Sequence, residues 1–201
     1  MLAITPATLL ILAANVGLGL YTLFAHQALI GKLLFRPYNF ARGKDRVTAL
    51  TSGFVHADLP HLLFNMITLW FFGRPLEARI GTPAFVLLYA LGLALSLVGT
   101  LRKHRNDPQY ATLGASGAIS AVLFAAIVYF PTMSLFIIPI PFPIPAPLFG
   151  VGYLVYSWWS SRQNRGRINH DAHFSGALVG LVFVALTNPG AYARALNMIG
   201  G

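Results

Sequence analysis

Two short stretches of this sequence carry side chains suited to nucleophilic chemistry: Gly114-Ala115-Ser116-Gly117 and Ala172-His173. A serine hydroxyl is a weak nucleophile until a base takes its proton. A neutral imidazole can do this and later deliver the proton to a leaving amine. His61 and Asn65 add two polar groups four residues apart, on one face of a helix. Attack on a carbonyl creates an oxyanion that needs donors already aimed at it. The His61 ring, the Asn65 amide and unpaired backbone N–H groups where a helix begins at Ser116 are the candidates. The chain has no cysteine, which removes thiol nucleophiles, disulfides and thiolate metal sites.

The elements that must bring these residues together are set by composition. Of 201 residues, 56% are apolar and only 9% charged, against about 25% charged in an ordinary soluble domain. Too little polar surface exists to cover a water-soluble fold, so much of the apolar surface must face lipid. Six apolar segments are expected to span, roughly 7–30, 59–73, 83–101, 116–130, 148–160 and 172–187, in one membrane domain over 1–201. The first has no basic residues before it and is longer than a signal-peptide core of about 7–15 residues, so it is read as a span. In hydrocarbon the backbone must satisfy itself, and no alternating pattern supports a barrel, so the fold class is an all-α membrane protein of six transmembrane helices.

Parity then does the positioning. With six spans, every even-numbered helix starts from the same face, and His61, Asn65, Ser116 and His173 all lie at or near the starts of spans two, four and six. The fourth span, about 15 residues or about 22 Å long, is shorter than a hydrocarbon core of about 30 Å. One of its ends must stop below the surface and leaves room for a polar hollow. Gly114 and Gly117 on span four and Gly176 and Gly180 on span six are small residues of the kind that let helices touch in lipid. Such contact would bring the Ser116 hydroxyl within hydrogen-bonding reach of His173. No span holds a carboxylate, and Asp171 is expected on the loop side, so the pattern predicts a Ser–His dyad. The connection Ile138–Pro147 places proline at every second position and should be extended and stiff. The basic connection Gly31–Ser52 has room for short interfacial helices.

Other chemistries fit less well. A metal bound by His56, His61, His170 and His173 is conceivable, but no H-E-x-x-H occurs and no span offers a carboxylate ligand. A transporter would want charge pairs within the spans. The net charge of +9 sits in short clusters between apolar runs, with no basic domain to follow a phosphate backbone, so no nucleic-acid partner is expected.

The residues at these positions resemble those of rhomboid intramembrane serine proteases, over roughly 46–187. His56-Ala57-Asp58-Leu59-Pro60-His61-Leu62-Leu63-Phe64-Asn65 is similar to the family's histidine and asparagine motif in span two. Gly73, Glu77 and Gly81 fit its G-x-x-x-E-x-x-x-G turn. Gly114-Ala115-Ser116-Gly117 fits G-x-S-G, and Ala172-His173 with Gly176 and Gly180 fits A-H-x-x-G-x-x-x-G. The resemblance implies a six-helix bundle in which Ser116 is the nucleophile and His173 the base, with His61, Asn65 and the Ser116 N–H stabilising the oxyanion. It implies cleavage of transmembrane protein substrates near one end of their helices, after a small residue, without metal or cofactor. A gap beside span five is the expected way in for the substrate. A catalytically silent relative that binds membrane clients is the alternative, although such a binder would need none of these four side chains.

Two departures stand out. Asp45-Arg46 occupies the place where the family often has Trp-Arg. The loops after spans one, three and five, which face outward in the family, hold Lys32, Arg36, Arg42, Lys44, Arg46, Arg102, Lys103, Arg105, Arg162, Arg165 and Arg167, against Arg74, Arg79 and Arg194 on the other face. The positive-inside rule would turn the active-site face toward the cytoplasm. The family orientation is the expectation adopted, with the basic loops holding anionic headgroups of the membrane lipids. A bacterial inner membrane is the expected host.

Overall fold

The computed structural model describes residues 4–136, 141–163 and 168–200. Pro6 opens α1 (Pro6–Leu20), where its missing N–H costs nothing. The helix widens into a π turn over Tyr21–Ala25 and stops at His26. The first span is therefore shorter than the expected 7–30, and Ile30 belongs to a separate helix, α2 (Ala28–Leu33). The basic connection carries the short helices α3 (Pro37–Ala41) and α4 (Thr48–Thr51).

The second span is α5 (Leu59–Thr68), prolonged by a π turn over Leu69–Gly73 that runs into α6 (Arg74–Ile80). Asp58 starts it as a capping residue, its carboxylate accepting the His61 N–H at 2.8 Å. The third span, α7 (Thr82–His104), follows the tight turn at Gly81, whose φ of +84° suits glycine. The fourth, α8 (Ser116–Tyr129), has 14 residues. A two-residue hairpin, β1 (Ser134–Leu135) with β2 (Ile144–Pro145), leads to α9 (Ala146–Gln163). The sixth span is α10 (His170–Thr187), and the sequence reading missed a final amphipathic helix, α11 (Gly190–Gly200).

The proline-rich connection is thus only partly as expected. Positions 138–140 lie outside the described residues, Ile144–Pro145 pairs as an edge strand, and Pro147 sits inside the first turn of α9. Proline is tolerated there because first-turn N–H groups have no intrahelical acceptor.

Among the described residues, α1 with its π turn, α7 and α10 are each long and apolar enough to cross a membrane, and α8 is a shorter apolar helix. α8 is the core: every residue from Gly117 to Val128 is buried, as expected of a helix that is apolar all round. α7 and α10 flank it at backbone distance. A Cβ placed on Gly92 of α7 would lie 2.8 Å from the Ala118 Cα, and one on Gly180 of α10 would lie 2.2 Å from the Ala121 carbonyl oxygen. α9 is peripheral; of its described residues only Ala146, Gly150 and Ser157 are buried.

Glu77 ties the far end of the bundle together. Its carboxylate accepts the Ala7 N–H (3.0 Å), the Thr8 N–H (2.8 Å) and the hydroxyls of Thr8 (2.7 Å) and Thr82 (2.8 Å). This satisfies orphan donors at the start of α1 with a full negative charge. Burial alone would raise the Glu77 pKa, but these hydrogen bonds outweigh it and hold the carboxyl below its ordinary value.

Candidate active site

Ser116 is the first residue of α8, so the N–H groups of the helix's opening turn point toward the loop without intrahelical acceptors. The loop reaches Ser116 through Gly114 at φ +110°, anchored by the Gly114 N–H donating to the Ser52 carbonyl at 2.8 Å. A Cβ at Gly114 would fall 2.6 Å from Cε1 and 2.7 Å from Nε2 of His61. Gly114 is thus not a helix-packing residue, as the sequence suggested. It serves the turn and lets the His61 ring lie directly against the strand of loop that presents Ser116.

His61 is held from two sides. The Asp58 cap fixes its backbone, and the His56 ring packs edge-on against it at 5.0 Å between centroids. His56 is fully buried, and neither ring nitrogen has a hydrogen-bond partner among the described residues. Burial first, and then the neighbouring His61, pull its pKa down to about 4 against an opposing pull from Asp58, so it stays neutral at ordinary pH. One turn beyond His61, Asn65 is also buried, and its Nδ2 has no acceptor among the described residues. A buried amide donor with nothing to donate to costs free energy unless a partner arrives.

His173 lies in the first turn of α10, one turn before Gly176. At Gly176 the helix meets α8 backbone to backbone: an added Cβ would be 2.1 Å from the Gly117 carbonyl oxygen. Ser116 and His173 therefore flank the same crossing, one from each helix. Both sit at intermediate exposure. The Ser116 hydroxyl and the His173 ring are not hydrogen-bonded to each other among the described residues; such bonds are often long before substrate binds. Ser116 also lines a small hollow shared with Ser52, Ser96, Thr112, Asn169 and Ala172.

The start of α10 is fixed by Asn169. Its Oδ1 caps the helix by accepting the Ala172 N–H (3.0 Å) and accepts the Thr100 hydroxyl (3.0 Å), while its Nδ2 donates to the Thr112 hydroxyl (3.0 Å). Thr112 in turn exchanges backbone hydrogen bonds with Phe35 at 2.8 and 2.9 Å, joining the loop after span one to the approach of α8. Asp171 faces away from this chemistry into an ion pair with Lys103 at 3.1 Å. Residues the sequence reading passed over also gather here: Asn169 and Ser96 beside the hollow, and Tyr153 of α9, whose ring centroid lies 6.2 Å from that of His173. Only Asn169 left a trace in the sequence, as an asparagine just before an apolar helical run. Among the described residues, no three His, Asp or Glu side chains come together in a way that could hold a metal ion.

Comparison with known proteins agrees with this architecture. A family model described as "Rhomboid domain" matches residues 44–189. The chain is 27% identical over 195 residues to "RHOMBOID-like protein 12, mitochondrial" of Arabidopsis thaliana, covering 89% of this chain and 57% of that one. It is 32% identical over 117 residues to "Putative rhomboid protease YdcA" of Bacillus subtilis, covering 57% of each. It is 28% identical over 145 residues to "Rhomboid protein 1, mitochondrial" of Saccharomyces cerevisiae, covering 69% and 41%. The chain spans about half the length of these relatives. Two of the three carry mitochondrial names, so the narrower expectation of a bacterial inner membrane gains no support; what stands is an integral multi-pass membrane protein.

Proposed function

The chain belongs to the rhomboid family, and on that premise we propose that it is an intramembrane serine endopeptidase that cuts transmembrane segments of membrane proteins by a Ser116–His173 dyad. The observation that carries this reading is the glycine contact of α8 with α10 at Gly117 and Gly176, which starts one residue after the hydroxyl and one turn after the imidazole.

In the proposed reaction His173 accepts the Ser116 proton as Oγ attacks the scissile carbonyl carbon. The developing oxyanion takes hydrogen bonds from the Ser116 N–H at the mouth of α8, from Asn65 Nδ2 and from the His61 ring. Asn65 is the most telling of these, because its buried amide nitrogen has no other acceptor among the described residues. His173 then hands the proton to the leaving amine, and the acyl-enzyme is hydrolysed by a water that His173 deprotonates in turn. The hollow beside Ser116, whose lining includes Ser52, Ser96 and Thr112, gives that water a polar place to wait. No step calls on a metal or a cofactor.

The test is cleavage of a model transmembrane substrate in liposomes. Ser116→Ala should abolish cutting while leaving the fold intact, and undiminished cutting by that variant would end the assignment. A parent chain that retains membrane clients but cuts none would move it to the binding class.

A further inference from the structure

The backbone contacts of α8 with α10, Gly117 with Gly176 and Ala121 with Gly180, all follow the reacting residues along both helices. Ser116 and His173 stand ahead of them, in first turns, where a helix frays unless it is tied. The glycine contacts set the distance between the helices. They leave the ends that carry the dyad to be fixed by something else.

Asn169 supplies that tie. Its main-chain carbonyl accepts the His173 N–H at 3.2 Å, and its Oδ1 accepts the Ala172 N–H at 3.0 Å. Two consecutive N–H groups, the base's own included, are thus held by one residue. The same amide reaches two other segments. Oδ1 also accepts the hydroxyl of Thr100, buried on α7, and Nδ2 donates to the hydroxyl of Thr112, each at 3.0 Å. Thr112 is a firm post, because its N–H and carbonyl exchange hydrogen bonds with the buried Phe35. Asn169 lies four residues before His173, and Thr112 four before Ser116, so the bridge joins the two approaches at matching offsets. From Thr112 the loop runs through Gly114, pinned to the Ser52 carbonyl, directly into Ser116.

We propose that Asn169 is a positioning residue for the dyad, whose side-chain amide, bonded to Thr112, aligns His173 with Ser116. The inference rests on the reading of these two residues as base and nucleophile. An amide suits the task because it accepts and donates at once. Its oxygen is committed to α10 and α7, and its nitrogen to the loop. Serine would cap α10 as well but is too short to span all three segments. With glycine contacts on one side of the dyad and the amide bridge on the other, the two helix ends lose their freedom to splay.

Fluorophosphonate labelling of the purified full chain tests this. The probe bonds Ser116 Oγ to phosphorus with loss of fluoride and needs no hydrolytic water, so it reads the dyad apart from the hollow that Thr112 also lines. Thr112→Val, which removes only the loop end of the bridge, should slow labelling about ten-fold, a part of the ~10²–10⁴-fold that a general base contributes. Its unfolding midpoint should stay close to the parent's. Asn169→Ser, which keeps the cap and loses the bridge, should slow labelling at least as much. The double variant should be no slower than Asn169→Ser alone, since both changes break the same bond. Asn169→Asp, whose second oxygen can accept the Thr112 hydroxyl, should restore most of the loss. In transmembrane-substrate cleavage Thr112→Val should lower kcat and leave KM within about two-fold. Parental labelling by Thr112→Val would overturn the inference. So would a loss that merely tracks the fraction unfolded, or an Asn169→Asp protein as slow as Asn169→Ser. Ser116→Ala run beside these variants keeps the two readings apart. If it still cuts, the dyad falls; if it is dead while Thr112→Val labels at the parental rate, only the positioning role falls.

Discussion

Gly176→Ala puts the helix contact beneath the dyad to a direct test. The added methyl would stand 2.1 Å from the Gly117 carbonyl oxygen, where ordinary contact begins near 3.4 Å. The obstacle is backbone, which has no rotamer to swing away, so α8 and α10 must part by about 1.3 Å at this point. Overpacking of this kind costs about 1–3 kcal/mol. Replacing a mid-helix glycine by alanine returns up to about 1 kcal/mol. The variant should therefore fold, with a modestly lower unfolding midpoint. The reacting groups suffer more, because a misplacement of about 1 Å can cost about 100-fold in rate. Cleavage of a transmembrane substrate in liposomes and fluorophosphonate labelling should both drop by about that factor. Gly152→Ala is the control: it sits on α9, a Cβ there would meet nothing within 4 Å among the described residues, and its rates should not change. Parental activity in Gly176→Ala, or an equal loss in Gly152→Ala, would refute the reasoning.

Further outcomes follow from the same structure. Asn65→Ala should cost about 100- to 1,000-fold in kcat with little change in KM, as removal of an oxyanion donor does; an effect confined to KM would remove Asn65 from that role. Glu77 has a lowered folded pKa, so its contribution to stability is complete above its unfolded value near 4.5 and is lost as pH falls through the folded one. Glu77→Gln should flatten that acid loss of the unfolding midpoint, and an unchanged acid profile would contradict the hydrogen-bond account. His56 acts in a different window. With a folded pKa of about 4 against 6.5, the unfolded chain binds the extra proton, so stability should fall as pH drops from 6.5 toward 4. His56→Leu should make that slope shallower, which thermal unfolding across the range would show.

Much of this was legible in the sequence because lipid imposes a severe rule. Apolar runs had to be helices, and parity alone put His61, Ser116 and His173 at one face. The small residues at 117, 176 and 180 announced where backbones could touch. What stayed hidden depends on partners distant in sequence or on breaks inside uniform apolar runs. Only the polar pair His26-Gln27 marks the end of the first span, and the apolar residues Ala28, Leu29 and Ile30 beyond it mask that break. Gly114 read as a packing residue because a glycine's φ is invisible in sequence; its true service is to the turn and to His61. Glu77 binds Thr8 across 69 positions. Tyr153 stands in an apolar run with Phe149 and Leu154, and only the packing of α9 on α10 distinguishes the ring that meets His173.

The most direct measurement of the central claim is to label the purified protein with a fluorophosphonate and map the adduct by peptide mass spectrometry. A single adduct on Ser116, lost in Ser116→Ala and strongly slowed in His173→Ala, is the result expected. An adduct on another serine, or labelling of Ser116 that proceeds at full rate without His173, would contradict the account.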